Sequence, residues 1–315
     1  MNRYAAIDIG TNSVLLVIAE RDSAGQFIPI LERAEITRLG RGVDRSHRLS
    51  ESGIQDTLAV IADYLQQARA AGARGWVLSA TSAARDAENG LEFLTKAREQ
   101  SGVEIDILSG DREAQLVYLA VTADFGPRLP NQPLLVIDIG GGSTEFTCGG
   151  LPPDRSISFQ RSYDVGSVRL TERYLQSDPV GANERARASA ELRATFSNLP
   201  PRGESAVIGV AGTVTTLFAI QNQIEPYEAA RVHGGTLTLE QLTKLTDRLL
   251  STPLEERKRL PGLEPKRADV ICAGALILQA ALERLGATYC LVSDRGLRWG
   301  LLLERFGSAS SANSS

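Results

Sequence analysis

Two short segments hold most of the chemistry available to this sequence. Ile7-Asp8-Ile9-Gly10 runs into Thr11-Asn12-Ser13, and Ile137-Asp138-Ile139-Gly140 runs into Gly141-Gly142-Ser143-Thr144. Each apolar stretch ends in an aspartate and a turn of small polar residues. A Gly-rich turn lets backbone N–H groups approach an anion without side-chain obstruction, and Ser and Thr hydroxyls add donors. Gly10, Thr11, Asn12 and Ser13, and in the second copy Gly140, Gly141, Gly142, Ser143 and Thr144, are therefore candidate phosphate-binding residues. Asp8 and Asp138 stand just before the turns, where a carboxylate can hold a hard cation directly or through water. Mg²⁺ suits that place because it keeps several waters and shares phosphate oxygens. An ordinary hairpin also uses Gly and Asn for positive φ, but two copies in matching positions of two halves favour a pair of facing hairpins that clamp phosphate.

Glu113, in SGDREAQLVY, falls in the first turn of a helix that follows a strand. It fits a helix-start carboxylate, as Asp111 does. It equally fits a base that orients and deprotonates a water attacking a phosphate, and nothing local decides between the two. Thr81, Ser82, Arg85 and Asn89 lie at the preceding strand-to-helix junction. Arg85 and Asn89 are four apart and are expected to share a helix face. Hydroxyls at a helix start with a fork-shaped donor make an anion site; N-capping with a solvated Arg is the plain alternative. Gly212 and Thr213, in GVAGT, repeat the strand–turn–helix pattern in the second half. Lys266, Arg267 and Arg298 are further sources of positive charge, with Arg267 counted among the substrate-binding candidates; a solvated helix face explains them equally well. Arg38, Arg41, Arg45, His47 and Arg48 form a basic stretch read as a hydrated loop or a guide for a polyanion.

The elements that must position these residues recur. Strands near 4–9, 14–20 and 28–36 lead to a helix from Ser50 to Gly72, a strand at 76–80, a helix at 83–99, a strand at 103–108 and a helix at 111–123. The second half repeats the order: strands near 134–139, 143–148 and 156–163, helices near 166–175 and 183–198, a strand at 206–211 and a helix at 213–223. An extra helical stretch follows at 239–259, then a long helix at 266–285, a strand at 288–293 and a last helix at 296–306. Strands alternating with helices imply a mixed sheet covered by helices. The fold class is α/β, two similar βββαβαβα domains. Turn chemistry near Gly126-Pro127 sets the expected division into domains 1–125 and 126–306, the second with a helical insertion. The polar tail 307–315 is expected to be disordered.

The chain has 315 residues, 43% of them hydrophobic and 23% charged, enough for a sizeable core. Lys and Arg number 34 against 38 Asp and Glu, a formal charge of −4, which argues against a generic nucleic-acid coat. Three scattered cysteines and two histidines make no disulfide framework, zinc pattern or well-supplied Ser-His-Asp scheme. No apolar run has membrane-spanning length, and the chain enters a strand at once without a signal-peptide layout. No membrane or nucleic-acid partner is expected, and the expected location is the cytoplasm.

Eight segments fall in order along the chain: IDIGTNS, TSAARDAEN, ILSGDREAQLVY, VIDIGGGSTEF, DVGSVRLTERY, VAGTVTTL, RADVICAGALIL and VSDRGLRWGLLL. Together they resemble the Ppx/GppA family of exopolyphosphatases and guanosine pentaphosphate phosphohydrolases. The resemblance implies the actin-like ATPase and sugar kinase superfamily (ribonuclease H-like), with the active site in the interdomain cleft. It implies that Gly10–Ser13 and Gly140–Thr144 are the phosphate loops, that Glu113 is the catalytic glutamate activating water, and that Arg85 contacts phosphate. It also implies that Asp138 and Glu145 are tied to a divalent cation (Mg²⁺ or Mn²⁺) and the attacking water, and that Gly212 and Thr213 are the nucleotide-side motif. Val14-Leu15-Leu16 is apolar where family members often have a polar residue, and Thr11 replaces a common Ser. The chain ends without the helical C-terminal region of long members, so it is expected to grip only the end of a polymer. The implied partner is inorganic polyphosphate. Guanosine pentaphosphate or tetraphosphate is the alternative ligand, either hydrolysed or held by a non-catalytic sensor. A homodimer is allowed.

Overall fold

The first apolar stretch forms the centre of a sheet. In the computed structural model, which describes residues 2–151 and 156–307, β1 (Asn2–Ile9), β2 (Ser13–Arg21) and β3 (Phe27–Ile36) form an antiparallel meander. α1 (Val43–Ser46) and α2 (Glu51–Ala70) follow, then β4 (Ala73–Ala80), α3 (Ser82–Asp86), α4 (Gly90–Ser101), β5 (Asp106–Ile107) and α5 (Gly110–Phe125). α2 starts where Ser50 Oγ accepts the Gly53 N–H at 3.1 Å, an N-cap worth about 1 kcal/mol. It buries Ile54, Leu58, Ile61 and Leu65, a stripe at helical spacing. The sheet order is β3-β2-β1-β4-β5, with β4 parallel to β1 and to β5.

The second half repeats this plan. β6 (Leu134–Ile139), β7 (Thr144–Gly149) and β8 (Ile157–Tyr163) form the meander, followed by α6 (Ser167–Tyr174), α7 (Ala182–Thr195), β9 (Ala206–Val210) and α8 (Ala211–Gln221). α9 (Ala229–Val232), β10 (Thr236–Thr238), α10 (Leu239–Ser251), α11 (Leu254–Arg257), α12 (Ile271–Leu285) and β11 (Tyr289–Val292) complete it. The order β8-β7-β6-β9-β11 matches the first sheet strand for strand, with β10 added antiparallel to β11 at the edge. α12 is apolar nearly all round and is buried accordingly.

The chain divides into two compact units, Met1–Ala120 with Leu297–Ser315, and Val121–Gly296. The last helix, α13 (Leu297–Phe306), thus lies in the first unit, although it follows β11 in sequence. There Phe306 stacks on Tyr4 with ring centroids 4.3 Å apart. Arg298 Nη2 and Trp299 Nε1 both donate to Glu32 Oε1, at 2.9 and 3.2 Å. Arg298 is therefore a buried structural cation and not a solvated one.

Four other element expectations change. The helix read over 83–99 is two helices, α3 and α4, because Asn89 is held elsewhere: its side chain accepts from Leu49 N and donates to Leu49 O, at 2.8 and 3.0 Å. Arg85 and Asn89 therefore share no helix face. The stretch read over 239–259 stops at Ser251 and resumes as the short α11, and the helix expected from 266 begins at Ile271, after a single 3₁₀ turn, Pro265–Arg267. The strand read over 103–108 pairs only at Asp106–Ile107. The tail from 308 lies outside the described residues. Among the described residues no helix is long and apolar enough to cross a membrane, and the three cysteines are free thiols.

Candidate active site

In the first unit the turn between β1 and β2 is held by its carbonyls. Gly10 N donates to Ser13 O at 3.0 Å, Gly40 N to Thr11 O at 2.8 Å, Arg38 N to Asn12 O at 3.0 Å, and Thr81 N to Ile9 O at 3.2 Å. No turn or loop bond among the described residues uses the N–H of Thr11 or Asn12. A Cβ on Gly40 would overlap the Thr11 side chain, so glycine there lets the basic segment press against the loop. Thr11 Oγ1 and Ser82 Oγ lie 2.7 Å apart, joining the loop to the start of α3. Asp8, Thr11, Asn12 and Ser82 are all buried.

Arg85 is half-buried; its Nη1 donates to Leu108 O at 3.1 Å and its Nε lies 3.3 Å from Asp86. Glu113 sits in the first turn of α5, where its N–H donates to Ser109 O at 2.9 Å. Its side chain is buried, unlike an ordinary solvated carboxylate at a helix start. In the basic stretch Arg41, Arg45, His47 and Arg48 are exposed, and Arg48 pairs with Glu88 at 3.6 Å.

The second unit repeats the turn and changes one position. Gly140 N donates to Ser143 O at 3.0 Å, as Gly10 does to Ser13. Ladder pairing sets Asp138 directly opposite Glu145, whereas in the first unit Asp8 stands opposite Leu15. Directly paired residues of an antiparallel ladder share one face, with Cβ atoms about 5 Å apart. Asp138 and Glu145 are both buried, and Ser162 Oγ donates to Glu145 Oε1 at 2.7 Å. Burial pushes the Asp138 carboxyl up to about 7. Two buried carboxylates on one face, with no His or Cys between them, offer oxygen donors only, a chemistry that suits a hard cation better than a soft one. Asp8 has no carboxylate opposite it in its own hairpin.

The loop carbonyls are held by the start of α6. Ser167 N donates to Gly140 O at 3.0 Å, Val168 N and Arg169 N to Gly141 O at 2.9 and 3.2 Å, and Arg169 Nε to Gly142 O at 2.9 Å. Gly166 has no room for a Cβ, which would overlap the backbone of Gly141 and Gly142. Thr144 Oγ1 donates to Val165 O at 2.6 Å. Arg169 and Gly166 carried no role in the sequence reading; the one available signal was the DVGSVR segment after the third strand. At the β9-to-α8 turn Ala211 adopts a left-handed φ of 70°, and the Arg267 guanidinium rests on Gly212 where a Cβ would stand. Burial pushes the Arg267 pKa down, opposed by Tyr227 and Glu264. Thr213 is buried. Lys266 is exposed.

The profile of the Ppx/GppA phosphatase family matches residues 17–309. This chain belongs to that family. Among curated relatives, exopolyphosphatase 2 of Mycobacterium tuberculosis is 31% identical over 323 residues, 98% of this chain and 99% of that one. The bifunctional 3-dehydroquinate synthase/phosphatase of Fusobacterium nucleatum is 31% identical over 311 residues, which are 95% of this chain and 46% of that protein. The crystal structure of the Aquifex aeolicus Ppx/GppA family member superposes with a TM-score of 0.80 at 35% identity, covering 96% of this chain and 97% of the other. The doubled α/β fold is thus the fold of a Ppx/GppA phosphatase, a hydrolase family.

Proposed function

We propose that this chain is an exopolyphosphatase, hydrolysing the terminal phosphoanhydride of inorganic polyphosphate to release orthophosphate. The observation that carries the reading is the doubled turn with its carbonyls tied back, one copy bearing a buried pair of carboxylates. Near full-length similarity to a protein named exopolyphosphatase supports the substrate class.

In this reading Gly10–Ser13 and Gly140–Thr144 donate N–H and hydroxyl groups to the terminal phosphates, with Arg85 adding charge. Phosphoryl transfer asks the protein mainly for positioning and charge stabilisation, which preorganised N–H donors supply. Glu113 orients a water and takes its proton as the water oxygen bonds to the terminal phosphorus. The bridging P–O bond breaks, and the shortened chain leaves with the electron pair. Asp138 and Glu145 hold Mg²⁺ or Mn²⁺, which when bound neutralises charge on the phosphate oxygens. Gly212, Thr213 and Arg267 bind further along the polyanion.

The test is phosphate release from polyphosphate, guanosine pentaphosphate and ATP, measured side by side. Polyphosphate is expected to be the best substrate and ATP poor, with activity abolished by chelator and restored by Mg²⁺ or Mn²⁺. Preferential hydrolysis of guanosine pentaphosphate would replace the substrate, binding of either polyanion without turnover would make the chain a sensor, and full activity in chelator would remove the cation.

A further inference from the structure

Each carbonyl in the second loop shares a peptide plane with the N–H of the next residue, and the two point in opposite directions. Holding a carbonyl therefore aims a donor. Ser167 N on Gly140 O aims the Gly141 N–H, and Val168 N with Arg169 N on Gly141 O aims the Gly142 N–H. The third peptide, Gly142–Ser143, has its carbonyl held by a side chain, Arg169 Nε at 2.9 Å. In the first unit the matching peptide, Asn12–Ser13, is held by backbone, Arg38 N on Asn12 O at 3.0 Å. Among the described residues no turn or loop hydrogen bond uses the N–H of Gly141, Gly142 or Ser143.

We propose that Arg169 is a positioning residue that aims the Ser143 N–H of the second loop at the phosphate, through its hydrogen bond to the Gly142 carbonyl. The inference rests on the loop's role as a phosphate site given above. A donor aimed at developing charge acts on turnover more than on binding. Lysine is a poor substitute, because its ammonium is a point charge on a flexible stem and cannot present an Nε–H in a fixed plane. The same side chain also lines a cavity of about 230 Å³ with Leu170, Arg173, Tyr174 and Glu191. Truncating it leaves a space open to a free guanidinium ion.

The test follows amide resonances of the isotope-labelled full chain during titration with inorganic phosphate and tripolyphosphate. In the wild type Gly141, Gly142 and Ser143 should all shift. In Arg169→Ala and Arg169→Lys the Ser143 response should vanish while those of Gly141 and Gly142 persist, and millimolar guanidinium should restore it in the alanine variant. With polyphosphate as substrate kcat should fall about 10–100-fold, with little change in KM. A Ser143 response in both variants equal to the wild type overturns the proposal, as does loss of all three responses together with the melting transition in Arg169→Lys. If the amides behave as expected but no substrate is turned over, the exopolyphosphatase reading fails and the role of Arg169 stands. If no loop amide of the wild type responds, both fail.

Discussion

Asp138 and Glu145 occupy opposite rungs of one strand pair, and their burial has a measurable cost. With its carboxyl raised to about 7, Asp138 keeps a proton in the native state that the unfolded chain has lost. Its contribution to stability is therefore full below about pH 4 and disappears as pH rises through about 7. Asp138→Asn cannot titrate. In chelator, its melting temperature relative to the wild type should increase between pH 5 and pH 8, and a constant difference would mean that Asp138 titrates as an ordinary carboxylate. Glu113→Gln keeps the shape of the side chain and removes the proton acceptor. Phosphate release should fall about 10²–10⁴-fold with substrate binding retained, and near-full turnover would leave Glu113 a helix-start carboxylate. The repeated Ile-Asp-Ile-Gly made the loops legible from the sequence, because turn chemistry is local. Roles that depend on distant partners were not: Asn89 answers to Leu49, Arg298 to Glu32, and Arg169 to Gly142, none close in sequence.

The hairpins, α2 and the repeated order of elements along the chain follow from period and turn chemistry, so elements of this kind were readable. β10 has only three residues, too few to show an alternation, and the helix read across Asp86–Gly90 breaks for a tertiary reason. α10 shows how a local signal fixes a boundary. Thr238 Oγ1 accepts from Gln241 N at 3.1 Å, and Gln241 Oε1 accepts from Thr238 N at 3.0 Å. Thr238→Ala should cost about 0.5–2 kcal/mol in urea unfolding and leave catalysis alone; an unchanged midpoint would show that the cap is redundant. α13 against α5 is the opposite case, set by packing. A Cβ on Gly300 would overlap the Leu116 carbonyl oxygen, so Gly300→Ala should destabilise by about 1–3 kcal/mol or more, read as a lowered melting temperature. A melting temperature equal to the wild type would mean that the two helices separate freely.

At the scale of the molecule, the second unit is one continuous stretch and the first is assembled from both ends of the chain. Nothing in the sequence between β11 and α13 tells which sheet the last helix will cover, so its membership of the first unit was not legible. A fragment covering 110–296, which keeps α5 whole, should unfold cooperatively on its own. A fragment covering 1–125 should not, unless the segment 297–307 is joined to it through a flexible linker. Cooperative melting of 1–125 alone would show that α13 adds nothing essential to the first unit. The order of synthesis then differs from the order of completion. At about 5–20 residues per second, a ribosome needs roughly 10–35 seconds to travel from the first part of the first unit to its closing helix. For that interval the nascent amino-terminal sheet waits with the seat of Phe306 beside Tyr4 uncovered, while everything made in between can already fold. The first part of the first unit is therefore the segment left longest without its closing helix during translation.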